Sequence, residues 1–339
     1  MPRLFREADM TDAALMAEVR RGPVVESFHH GHAVIARPDG RIVESCGNPE
    51  LVFLPRSAAK MLQALPLLET GAGGGLSSER LALACASHSG ERIHVERVSG
   101  WLSEIGLTAD ALACGPQASR DTELATEMIR QGEAVTGVFN WCSGKHTGFL
   151  TVARHLGAGL DYVDPNHAVQ RAIRTATDEM CGVDSPGFGI DGCSAPNFAT
   201  TLRGMAIAMA KFASAGRTHG VRDEATARLR DAMIAHPDMV AGKGRADTLL
   251  MRATTEPVAI KSGAEGVHIA MLPEQGLGVA LKISDGASRA AETAIAALLV
   301  RLGALEADHP DAQRYLNTPV LNWDGLTTGS IRPAQALMA

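Results

Sequence analysis

Ser57 and Lys60 stand three residues apart in Arg56-Ser57-Ala58-Ala59-Lys60. On a helix that spacing puts both side chains on one face, so the Lys60 amine can reach the Ser57 hydroxyl. A serine hydroxyl is a poor nucleophile until a base takes its proton. A lysine can be that base when burial and a second nearby cation push its pKa toward neutrality. Two more short motifs follow in order, Ser87-His88-Ser89 and Lys261-Ser262-Gly263. Lys261 is the expected second cation. Ser87 either relays the proton or forms a second serine–lysine pair with Lys261. Taken alone, Ser57-x-x-Lys60 fits an N-cap serine beside a surface lysine equally well. The ordered set of three motifs is what points to a serine–lysine acyl-transfer site.

Two cysteine-bearing loops add to this. Asn140-Trp141-Cys142-Ser143-Gly144-Lys145-His146 leads into a predicted helix, and Gly189-Ile190-Asp191-Gly192-Cys193-Ser194-Ala195-Pro196 is a glycine-rich turn. Loops of small residues at helix starts suit ligand binding. Cys142 and Cys193 could share a soft metal such as zinc with a third ligand, or be two buried thiols lining a pocket. The six cysteines are scattered and contain no C-x-x-C pair, so neither a disulfide framework nor a zinc ribbon is expected. Gly144-Lys145-His146-Thr147 lacks the spacing of a phosphate loop, and the 71–75 glycine run lacks that of a dinucleotide site. His29, His30 and His32 fit a half-buried strand.

The elements that must position these residues follow from periodicity. Short apolar runs at 24–28, 33–36, 41–44 and 51–54 read as strands, with Pro38-Asp39-Gly40 as a turn. From Ser57 the apolar spacing becomes three and four, a helix interrupted by Pro66 and ended by Gly71. Helices are predicted over 91–105, 120–131, 147–156, 168–181, 199–212, 223–235 and 248–253. Strands return at 257–260, 267–272 and 278–283, before a last helix over 289–301. The expected class is α+β, with an antiparallel or mixed sheet built from both termini and a helical lobe, roughly 58–253, inserted between. Residues 1–21 read as a leader, helical over 12–20; residues 22–330 form the domain and 331–339 a tail.

Composition bounds the function. The 339 residues are 45% hydrophobic and 21% charged, the balance of a globular protein with a substantial core. A net charge of −6 leaves no basic surplus for nucleic acid. No apolar run is long enough to span a membrane, and the N-terminal residues lack the apolar core of a signal peptide. A cytoplasmic location is expected.

Serine β-lactamases and penicillin-binding proteins place S-x-x-K, S-D-N and K-T-G in the same order, although the middle motif differs here. Arg56–Lys60, Cys85-Ala86-Ser87-His88-Ser89, Cys142–His146, Asp191-Gly192-Cys193 and His236-Pro237-Asp238-Met239-Val240-Ala241-Gly242 together resemble the rhizobial-type L-asparaginases of the bacterial asparaginase II family. The resemblance covers roughly residues 22–330. It implies a fold similar to serine β-lactamases and glutaminases, a homodimer, and hydrolysis of L-asparagine to L-aspartate and ammonia. It further implies two catalytic tandems, Ser57 with Lys60 and Ser87 with Lys261. Zinc would be held by Cys142, Lys145 and Cys193. Arg56, His88 and Asp191 would contact substrate, Asp191 by gripping the α-amino group or orienting a lysine. Family members commonly carry Pro after the S-x-x-K lysine, where this chain has Met61. The other readings are an esterase-like or β-lactam-opening serine hydrolase, and a non-catalytic zinc or small-ligand binder.

Overall fold

Residues 267–272 and 277–283 are buried almost throughout. Strands apolar on both faces must be covered from both sides, and that requirement organises the molecule. The computed structural model describes residues 12–338. Residues 1–11 of the expected leader and the final residue of the expected tail lie outside the described residues. Strands β1 (Ala14–Arg21), β2 (Val24–Ala36) and β3 (Ile42–Cys46) come first. The short pieces β4 (Val52–Phe53), β5 (Phe188–Ile190), β6 (Pro196–Phe198) and β7 (Thr200–Thr201) accompany the helices. Strands β8 (Ala259–Gly263), β9 (Val267–Leu272), β10 (Leu277–Ile283), β11 (Thr318–Leu321) and β12 (Thr327–Pro333) complete the chain.

Among the described residues, eight strands form one sheet in the order β11-β12-β1-β2-β10-β9-β8, with β3 also paired to β2. Every pairing in it is antiparallel. The class is the expected α+β, with strands from both ends of the chain meeting where β2 pairs β10 through Gly31–Ala36. Helix Leu202–Ser214 packs on β10, β2 and β9, and helix Ser288–Arg301 packs on β9, β10, β1 and β12. The other helices between Lys60 and Ala253 form the inserted lobe, while helices Pro310–Leu316 and Gln335–Met338 pack on helix Ser288–Arg301.

Three local expectations are corrected. Residues 14–21, expected to end a helical leader, are strand β1, because β2 and β12 offer hydrogen bonds on its two edges. Residues 331–333, set apart as tail, complete β12, with Ile331 opposite Val19. Pro66 does not break its helix, which runs Lys60–Glu69 with every residue from Lys60 to Leu68 buried. Packing on all sides outweighs the single hydrogen bond that the proline removes.

Candidate active site

The site forms where three tight backbone approaches meet. The short 3₁₀ turn Arg56–Ala59 leads directly into helix Lys60–Glu69. This turn abuts the edge strand β8 so closely that a Cβ on Gly263 would lie 2.8 Å from the Pro55 carbonyl. Arg56 takes a left-handed φ of 52°. Its backbone is held there by Asn197, whose Oδ1 accepts from the Arg56 N–H at 3.0 Å and whose Nδ2 donates to the Arg56 carbonyl at 3.2 Å. Helix Ser143–His155 presses its start on the end of helix Ser78–Ala84, where a Cβ on Gly144 would sit 2.4 Å from the Leu83 carbonyl. The segment after that helix is pinned between two others. The Ser87 N–H donates to the Val240 carbonyl at 2.9 Å, and the His88 N–H donates to the Trp141 carbonyl at 3.2 Å.

These approaches bring Lys60, fully buried, to the centre. Its amine donates to Ser87 Oγ at 2.9 Å, to the Ala86 carbonyl at 2.5 Å and to Cys142 Sγ at 3.2 Å. The partner of Lys60 is therefore Ser87, and not the Ser57 expected from the spacing. A 3₁₀ turn carries the serine while the α-helix begins at the lysine. Ser57 and Ser87 nevertheless line one cavity of about 390 Å³, a size suited to a small ligand. Its walls also carry Arg120, Cys142, Arg245 and Glu292.

Lys261 sits on edge strand β8, fully buried. Its amine donates to the Ser262 carbonyl at 2.7 Å and lies 3.7 Å from Asp247 Oδ2. Burial pushes its pKa down to about 8, with Lys60 adding to the effect and Asp247 opposing it. The structure brings Lys261 beside Lys60 without a hydrogen bond to Ser87. Asp247 is the hub of a buried network that sequence reasoning missed. Its Oδ2 accepts from the Ser262 N–H at 2.9 Å and from Ser262 Oγ at 2.7 Å, while Oδ1 bonds His268 Nε2 at 2.8 Å. Burial opposes its ionisation, but the His268 hydrogen bond and the Lys261 charge hold its carboxyl well below the usual range. The available signals were Asp247 following the 236–242 motif, and His268 as the polar residue in an otherwise apolar strand.

Cys142, Lys145 and Cys193 do converge. Lys145 Nζ donates to Cys193 Sγ at 3.1 Å. A hydrogen bond from Cys142, then the Lys145 charge, depresses the Cys193 thiol against the opposing effect of burial. The Lys145 pKa is raised, because the thiols outweigh its burial. His146 Nδ1 bonds the Tyr162 hydroxyl at 2.8 Å, and that hydroxyl accepts from the Ala113 N–H at 2.7 Å. The hydroxyl proton therefore goes to Nδ1, which leaves Nε2–H, without a hydrogen-bond partner, near the Cys193 sulfur. No group of three His, Cys, Asp or Glu side chains suited to a metal occurs among the described residues. The two sulfurs with the lysine amine do fit zinc in donor chemistry, provided Lys145 gives up its proton.

The three expected substrate contacts lie in different surroundings. Arg56 Nε and Nη2 donate to Asp191 Oδ1 at 3.0 and 2.8 Å, and the Gly192 N–H donates to the same oxygen at 2.8 Å. That pair ties the Cys193 loop to the Ser57 turn. His88 is fully buried, stacked on His94 at 4.7 Å. The Gly90 N–H donates to its Nδ1, so Nε2–H donates to Ser143 Oγ at 2.9 Å. Burial keeps the ring neutral. None of these three is among the residues lining the cavity.

No helix of the described residues is long and apolar enough to cross a membrane. No curated protein matches the sequence. Solved structures with a similar arrangement include Mglu in its tris and glutamate form, at 14% identity and a TM-score of 0.46, covering 86% of this chain. This chain spans 64% of that protein's length. A class C β-lactamase from Rhodobacter sphaeroides aligns at 14% identity and a TM-score of 0.40, over 78% of this chain and 92% of the other. A family model described as L-asparaginase II matches residues 17–333, from inside β1 to the end of β12. The chain belongs to the L-asparaginase II family.

Proposed function

We propose that the protein hydrolyses L-asparagine to L-aspartate and ammonia through a serine acyl-enzyme. Family membership supports the amide substrate. The mechanism rests on one observation, the Lys60 amine 2.9 Å from Ser87 Oγ on a cavity that Ser57 shares. Ser57 Oγ makes no hydrogen bond to any described residue and is open to substrate. It attacks the side-chain amide carbon, and its proton passes through Ser87 to the Lys60 amine, which acts as the base. Lys60 returns the proton to the amide nitrogen as the C–N bond breaks. Ammonia leaves and a β-aspartyl ester remains on Ser57. Water then attacks the ester and gives a proton to Lys261, which returns it to Ser57 Oγ as aspartate departs. Cys142, Lys145 and Cys193 would hold zinc, which when bound supplies positive charge beside the cavity wall at Cys142.

The same Lys60–Ser87 contact favours a second reading, in which Ser87 itself attacks and Lys60 takes its proton directly. Rapid quench with L-asparagine and peptide mass analysis separates the two, because the aspartyl ester falls on the 57-bearing or the 87-bearing peptide. Ammonia release from L-asparagine, with L-glutamine in parallel, tests the activity; release from neither would remove the amidohydrolase reading.

A further inference from the structure

Many arginines of this protein pair with carboxylates, as in Arg92 with Glu133 at 2.8 Å and Arg301 with Glu44 at 2.6 Å. The two arginines on the cavity wall do not. Arg120 and Arg245 have no ion pair or hydrogen bond through their guanidinium groups to any described residue. Arg120 lies with its guanidinium carbon 3.2 Å from the centre of the Trp141 ring. Burial pushes its pKa down to about 10, and Arg245 adds to the effect. Two partly buried guanidiniums that disfavour each other beside a nucleophile form a site short of an anion. Glu292, on the same wall, has no hydrogen-bond or ion-pair partner either. Burial raises its pKa, while the charges of His268 and Arg245 pull the other way.

Resting on the amidohydrolase reading above, we infer that Arg120 and Arg245 bind the α-carboxylate of the substrate and Glu292 binds its α-ammonium. A guanidinium pair matches a carboxylate with parallel N–H···O bonds, and a half-buried carboxylate matches an ammonium. The substrate class is thereby a free α-amino acid carrying a side-chain amide. Peptide-bound asparagine, with its α-carboxyl in amide linkage, lacks the charge that the arginines would bind. The role of gripping the α-amino group falls to Glu292 rather than to Asp191, whose Oδ1 already takes three donors.

The test uses two truncated substrates. 3-Aminopropanamide lacks the α-carboxylate, and succinamate lacks the α-amino group. Arg245→Gln should cut the preference for asparagine over 3-aminopropanamide about 10- to 100-fold and leave its preference over succinamate largely intact. Glu292→Gln should do the reverse. Equal shifts of both ratios in either variant, or no shift in either, overturns the assignment. Should the wild-type protein hydrolyse none of the three, the amidohydrolase reading fails by itself. Calorimetric binding of L-aspartate against β-alanine and succinate then decides the subsite: it stands if the two variants weaken aspartate binding in the same crossed pattern, and falls if neither does.

Discussion

The Lys60 amine lies 2.9 Å from the Ser87 hydroxyl across 27 residues of chain, whereas the hydroxyl of Ser57, three residues from Lys60, makes no hydrogen bond to that amine. The lysine thus faces one serine while the other stands open on the same cavity. Loss of either hydroxyl should lower kcat for asparagine by about 10²- to 10⁴-fold. Ser57→Ala removes no hydrogen bond, so its melting temperature should match that of the wild type. Ser87→Ala takes one partner from a buried amine, and should melt lower by an amount near that of one charged hydrogen bond, about 1.5–3 kcal/mol. Ammonia release and thermal melts on both variants check this. Near-normal turnover in Ser57→Ala would falsify its role as nucleophile.

Lys261 gives the activity a pH signature. Burial holds its pKa at about 8 in the folded protein, so the neutral, base-competent form grows as pH rises toward that value. With deacylation rate-limiting, kcat for asparagine should climb about tenfold per pH unit below pH 8 and level off above it. Lys261→Arg stays charged across that range and should be slow and flat. The sign for stability follows from the same shift. Unfolded lysine titrates near about 10.4, so the unfolded chain binds more protons between pH 8 and that value. Burying the charged amine costs stability below pH 8, and the cost is relieved as pH rises through the window.

Asp247 works in the opposite direction. Its carboxyl is held below its usual range by His268 and Lys261 against the effect of burial. Its stabilising contribution is therefore present above the unfolded pKa of about 3.9 and is lost as pH falls through the folded value. Asp247→Asn leaves Lys261 buried without its counter-charge, and should cost about 3–5 kcal/mol at neutral pH. The gap in melting temperature between variant and wild type should close below pH 4. A gap independent of pH would assign the loss to packing instead.

The ordered motifs made the gathering of Ser57, Lys60, Ser87 and Lys261 legible, because each sits in a short motif with its own local signal. The contact between them was not. The S-x-x-K spacing puts Ser57 and Lys60 on one side but does not say where a buried amine turns, and here it turns to Ser87, Ala86 and Cys142, all supplied by distant segments. The first strand was illegible for a related reason. Ala14–Arg21 is rich in residues with good helix propensity. Its strand state comes from partners such as Ile331 and Pro333, far away in sequence, and no local window contains them. Arg120, Arg245 and Glu292 went unseen because each comes from a different segment, and none carries a motif. Only the fold makes them neighbours of one cavity.

The thiol cluster makes the last prediction. The Cys142 hydrogen bond and the Lys145 charge depress Cys193, and Lys145, whose pKa the thiols raise, must give up its proton to coordinate. Zinc binding should therefore release protons and weaken as pH falls. Protein purified at neutral pH should carry zinc at about one per chain by elemental analysis. Cys193→Ser should abolish it, and Lys145→Met should weaken it by removing the nitrogen donor while leaving both sulfurs. Retention of full zinc by Lys145→Met would remove the lysine from the ligand set and leave the two cysteines with a different third donor. Absence of zinc in the wild-type protein, with thiol titration showing Cys142 and Cys193 free, would return the cluster to a buried thiolate–ammonium pair that braces the Ser57 side of the cavity.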